Sequence, residues 1–133
     1  MNRLDTVKEF IETAKLCLDA GKFRSAVSRS YYAVFHACIA LFESYHYTPT
    51  NFIGRNGRPA TRWEHGIITK YVLLEFVRKR NLMHWVTAAQ IKRLYRSRIE
   101  ADYRYDMIIA EALARNSYAE AVKIVNLIEE KVK

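Results

Sequence analysis

Arg98 and Asp102, four residues apart, are charges standing where apolar residues are expected. Ala88, Ile91, Leu94 and Tyr95 mark the apolar stripe of a helix, and extending it by threes and fours reaches Arg98 and then Asp102. A buried unpaired charge is costly, so these two residues must pair, bind a ligand or line a solvated cleft. An i,i+4 pair contributes only about 0.2–0.5 kcal/mol, and less when the cation comes first. Structural pairing and a functional cleft therefore both stay open. Lys92, Arg93 and Arg96 point away from the stripe and can hold a basic surface on the same helix.

The other reactive side chains are few. His36 falls in the core pattern of the second helix and reads as a satisfied core histidine. His65, in WEHG, follows a basic loop near a helix start, where N-terminal packing and cleft lining are both open. His46 and His84 sit at helix ends and read as exposed caps. Tyr31 and Tyr32 are adjacent, so one can pack inward while the other faces a partner subunit. Zinc needs three or four ligands at suitable spacing, and the histidines and cysteines show no such cluster. GRNG at 54–57 lacks the Lys-Ser/Thr of a phosphate loop and follows no strand, so no metal or cofactor is expected. Cys17 and Cys38 lack CxxC spacing and read as buried thiols of a cytoplasmic protein.

These residues are carried by elements that read as helices throughout. With 133 residues, 4 Gly and 2 Pro, the chain suits one domain over 1–133 and argues against a many-stranded sandwich or barrel. Leu4, Val7, Ile11, Ala14 and Leu18 define a first helix over 3–19, which Gly21 ends. Residues 22–46 form a second helix, apolar nearly all round, as in a central helix or one covered by an oligomer partner. Both prolines and two glycines fall in 47–62, a loop long enough to be functional or mobile. A third helix spans about 63–80, and Thr87 is a candidate N-cap for a fourth that runs to about Arg104. Ala110, Ala114, Ser117, Ala121, Ile124, Ile128 and Val132 stripe a last helix over 107–132. The expected class is an all-α bundle. No run approaches the roughly 18 apolar residues of a membrane span, and the start MNRLDTVKEF lacks the apolar core of a secretory signal.

Charge is unevenly placed. Residues 51–100 carry 11 Lys/Arg against 3 Asp/Glu, so the net charge of +8 arises in the middle of the chain. Such a block can be a footprint for RNA or an acidic protein, or simply a solvated surface.

Three segments in order, GKFRSAVSRSYYAVFHACIALF, WEHGIITKYVLLEFV and RSRIEADY, resemble the HEPN domains, in particular their small stand-alone branch. The resemblance runs from about Leu16 to Val125 and implies an up-and-down bundle of four or five helices that forms a homodimer, with the fourth-helix motif facing its copy across a cleft. Many HEPN proteins are metal-independent ribonucleases with a motif of Arg, four to six residues, then His. Arg98 matches the Arg, but Tyr103 stands where His is expected. The chemistry needs a group of near-neutral pKa for the ribose protons and a cation on the phosphate. A phenol is ionised in only about one molecule per thousand at pH 7, and an unshifted carboxylate near pKa 3.9 is also a weak base. If the chain cleaves RNA, the resemblance assigns Arg98 to the phosphate and Asp102 and Tyr103 to the protons. Lys92, Arg93, Arg96 and Arg104 would then hold the strand through phosphate contacts. It also implies a nucleotidyltransferase antitoxin as partner, with Tyr105 at the spacing of an AMP-accepting tyrosine. The rival expectation is a non-catalytic dimeric binding or scaffold module, with Arg98 and Asp102 paired across the interface.

Overall fold

The computed structural model describes residues 2–132; Met1 and Lys133 lie outside the described residues. It is an all-α bundle of helices α1 (Arg3–Asp19), α2 (Phe23–Ser44), α3 (His65–Tyr71), α4 (Trp85–Tyr103) and α5 (Glu111–Lys131). Helix α3 continues as a wider π-helical stretch over Val72–Lys79. None of the described helices is long and apolar enough to cross a membrane.

Local chemistry sets the helix ends. Asn2 and Asp5 form a capping box at the start of α1, each side chain accepting from the other's backbone N–H at 3.0 and 3.1 Å. The helix stops where Gly21 turns left-handed (φ 73°), which lets Lys22 N–H donate to the Cys17 carbonyl at 2.8 Å. The same turn closes α2, with His46 in the left-handed position (φ 65°) and Tyr47 N–H donating to the Phe42 carbonyl at 3.1 Å. His46 is thus a helix-end residue, as its sequence position suggests.

Helix α2 is the centre of the bundle and packs against α1, α4 and α5. That is why its apolar residues cover more than one face: Tyr31, Val34, Ala37, Cys38, Leu41 and Phe42 are all fully buried. Each large side chain removed from water contributes about 1.5–3 kcal/mol. The Cys38 thiol sits in this core with its pKa pushed up to about 12 by burial, which leaves it unreactive. Cys17 is only partly buried.

The segment between α2 and α3 has more structure than its Pro and Gly content suggests. Phe52 and Ala60 are buried, and the chain pairs with itself at Ile53 and Pro59 around the exposed tip that carries Arg55 and Arg58. Phe52 anchors the loop by packing on Phe42, Tyr47, Trp63 and Tyr71, with ring centroids 4.5–6.0 Å away. Glu64 ties the tip down by accepting the Arg55 N–H at 2.8 Å. A Cβ at Gly54 would come within 2.7 Å of a Glu64 carboxylate oxygen, so glycine permits that closure.

Several boundaries and one stripe differ from the sequence reading. Helix α4 begins at Trp85, and its N-cap is His84, whose Nδ1 accepts from Val86 N–H at 3.2 Å. Thr87 is instead buried inside the helix, on the same stripe as Ala88, Ile91 and Leu94, while Trp85 and Val86 before it are exposed. The buried stripe passes from Leu94 and Arg98 to Ala101 rather than Asp102, because that face drifts with the 3.6-residue turn. Helix α3 starts two residues after Trp63, and α5 starts at Glu111 rather than 107.

The end of α4 is held by a residue from another helix. Arg24 on α2 donates to the carbonyls of Glu100, Ala101 and Arg104 at 3.2, 2.6 and 3.2 Å, and to that of Met107. A cation here meets the negative end of the helix and its unpaired carbonyls. Arg24→Ala is expected to lower stability by about 1.5–3 kcal/mol, the range for hydrogen bonds to a charged group. Urea denaturation followed by circular dichroism checks this, and an unchanged midpoint would remove Arg24 as the clamp on α4.

Candidate functional site

Arg98 is held inside a cage of tyrosines. Its side chain is 5% exposed, and the guanidinium carbon lies 5.3–5.7 Å from the ring centroids of Tyr31, Tyr32, Tyr95 and Tyr103. Tyr31 and Tyr32 come from the middle of α2, and Tyr95 precedes Arg98 on α4 by just under one turn. The ring faces attract the cation, each contact contributing about 0.5–2 kcal/mol depending on solvent exclusion. The one carboxylate beside it is Asp102, with Nη1 and Oδ2 3.6 Å apart and the Asp102 side chain 26% exposed. Arg98 Nε is buried with no hydrogen-bond partner among the described residues. The pairing is therefore within one helix, and the charge is balanced mainly by aromatic faces.

On the α3 side of the cage stands His65. Its ring lies 4.5 Å from Phe35, 5.5 Å from Tyr95 and 5.5 Å from Tyr31, and Nδ1 is 2.7 Å from the Tyr31 hydroxyl. Burial, then the charge of Arg98, then His36 lower its pKa to about 4, so it is neutral at physiological pH. Burial likewise keeps the Tyr31 phenol protonated, above its ordinary range. His36, one turn beyond Tyr32, stacks on Phe10 at 5.3 Å and accepts an N–H from Arg3 at 3.0 Å. Its pKa is lowered by burial and by Arg3, as suits a satisfied, half-buried histidine.

His65, Tyr32 and Tyr95 line an open groove of about 1290 Å³ together with Arg55, Arg62, Trp63 and Glu64 from the loop and its end. The anchored loop is thus what brings two arginines to the groove that these rings also line. Arg98 lies behind these rings, in contact with Tyr32 and Tyr95. The arrangement offers aromatic rings, exposed cations for an anionic chain, and a neutral imidazole in one groove.

The remaining candidates spread over the α4 surface. Lys92, Arg93 and Arg96 are exposed, but Arg93 is engaged by Glu120 of α5 at 2.8 Å. Arg104 is exposed and lies 3.7 Å from Asp106. Tyr103 and Tyr105 are 67% and 91% exposed, so Tyr103 covers Arg98 from the solvent side. No group of three or more His, Cys, Asp or Glu that could hold a metal ion occurs among the described residues. Sequence reasoning left His65 open and did not join it to Arg98. The signal available was Tyr31 and Phe35 four apart on α2, which put two rings on the face that His65 meets. Compared with known proteins, the chain matches no family model, and no curated protein is similar to it.

Proposed function

We propose that this chain is an RNA-associated helical domain of the HEPN kind, which takes a single strand along the groove between the 53–64 loop and the tyrosine-histidine wall. One observation carries the reading: Arg55 and Arg62 line the same open groove as Tyr32, Tyr95 and His65. Phosphates suit the arginines and bases suit the rings, and every base has a face to stack. Of the basic residues in 51–100, Arg55 and Arg62 line the groove, and Lys92, Arg93 and Arg96 are exposed on α4. Arg98 sets the potential of the wall from behind, with Asp102 and Tyr103 at its solvent edge as the groups that would handle protons if the strand is cut. Tyr105 presents its hydroxyl to any modifying enzyme, such as the nucleotidyltransferase partner that the HEPN resemblance implies.

The non-catalytic reading rests on a different observation. Tyr103, Tyr105 and Ile108 are each exposed at or just after the end of α4, where a second copy would cover them in a HEPN-type homodimer. The Arg98–Asp102 pair lies within one helix and so does not require that interface.

Fluorescence anisotropy with a single-stranded RNA over a series of KCl concentrations tests the proposal. Binding should weaken with salt, and Arg55→Ala with Arg62→Ala should reduce the slope of log affinity against log salt by about 1.4, two phosphate contacts' worth for a single strand. A slope unmoved by the double variant would exclude the groove. Incubation of RNA with the protein in EDTA, read on a gel, separates cleavage from binding.

A further inference from the structure

The groove's histidine is held in one tautomer by a buried tyrosine. Tyr31 is fully buried, and its hydroxyl has one hydrogen-bond partner among the described residues, His65 Nδ1 at 2.7 Å. A neutral phenol carries a hydrogen that must be given to an acceptor, and a buried hydroxyl left without one is strongly disfavoured. The only arrangement that satisfies it has Tyr31 donating and His65 Nδ1 accepting. The imidazole proton then sits on Nε2. No described residue is bonded to Nε2, and the ring lines the same groove as Arg55 and Arg62.

We infer that Tyr31 fixes His65 as the Nε2–H tautomer, so that it works as a neutral hydrogen-bond donor to a phosphodiester oxygen in the groove and not as a proton-accepting base. This rests on the RNA reading for its ligand, while the tautomer is a property of the free protein. The donor is fixed by two elements packed through the core: Tyr31 on α2 holds one ring nitrogen, and Phe35 and Tyr95 hold the plane of the ring. Arg55 and Arg62 are exposed and adjustable, so they attract the strand, whereas the fixed N–H sets where one phosphate stops. Chemistry that needs a base must then draw on another group.

Long-range nitrogen–proton NMR on protein labelled with 15N-histidine reads the tautomer without any substitution. The expected result at pH 7 is Nε2–H for His65, with that signal shifting when a single-stranded hexauridylate RNA is added. Tyr31→Phe should release the tautomer into a mixture, and His65→Ala should weaken hexauridylate binding about 5-fold, the loss of one hydrogen bond. A proton found on Nδ1 in the wild type overturns the inference whatever RNA does. A His65 signal that stays silent in a complex that forms also overturns it, and leaves the RNA reading standing. No binding of the oligonucleotide at any salt concentration overturns the RNA reading and the ligand inferred here with it.

Discussion

Arg98→Ala is expected to destabilise the fold by about 3 kcal/mol, while Arg98→Met stays within about 1 kcal/mol of the wild type. The two variants separate packing from charge. Alanine leaves a void among Tyr31, Tyr32 and Tyr95, and removes every favourable ring contact at once. Methionine keeps the volume and gives sulfur–aromatic contacts. It loses the cation's attraction to the rings, but it also removes the cost of keeping a guanidinium dry with Nε unpartnered. Those two terms oppose each other, so the net change is small. Asp102 is left without its cation in both variants, yet its side chain reaches solvent and suffers little. Chemical denaturation of the three proteins decides the matter. An alanine variant as stable as wild type would mean the cage relaxes without cost, and the packing argument would fail. The methionine variant, once shown to be folded, is also the proper reagent for RNA assays, because any loss it shows reports the charge.

The second large effect is with pH. His65 and His36 both have folded-state pKa values below the ordinary 6.5, His65 at about 4. Between those values the unfolded chain binds more protons than the folded one, so stability rises with pH. The contribution is complete above about pH 6.5 and is lost as pH falls toward 4. Arg98 and Tyr95 face His65 from α4, and Tyr31, Phe35 and His36 from α2; Arg55, Arg62 and Glu64 line the groove with it. Arg3 on α1 faces His36, so protonation of either ring meets a guanidinium. At about 1.36 kcal/mol per unit the His65 shift caps its effect near 3 kcal/mol, and solvent in the groove reduces it to about 1–2. Urea midpoints at pH 7, 6 and 5 should fall for wild type, and fall less for His65→Gln. Equal losses in both would show that carboxylates, not His65, govern the acid limb.

Parts of this arrangement were legible early. The first helix, its Gly21 stop and the centrality of α2 follow from periodicity, because burial imposes a pattern on sequence. The misplaced cap at Thr87 shows the limit of that method. A hydroxyl is a good cap in general, but His84 held the position because the exposed Trp85 and Val86 begin the helix before the stripe does. Spacing by threes and fours makes Asp102 the next stripe member, whereas the helical turn brings Ala101 inward.

By itself, the sequence determined that the chain is helical, that its middle is basic, and that a charge at 98 had to be accounted for. Each of these is a property of spacing or composition along one chain. Only the tertiary structure decided how Arg98 is accommodated, because Tyr31 of α2 and Tyr95 of α4 stand far apart in the chain and meet only in the fold. The same holds for His65. Its neutrality and its place in the groove depend on burial, on the Tyr31 hydroxyl and on the field of Arg98, and these are distances in space that no spacing in the sequence encodes.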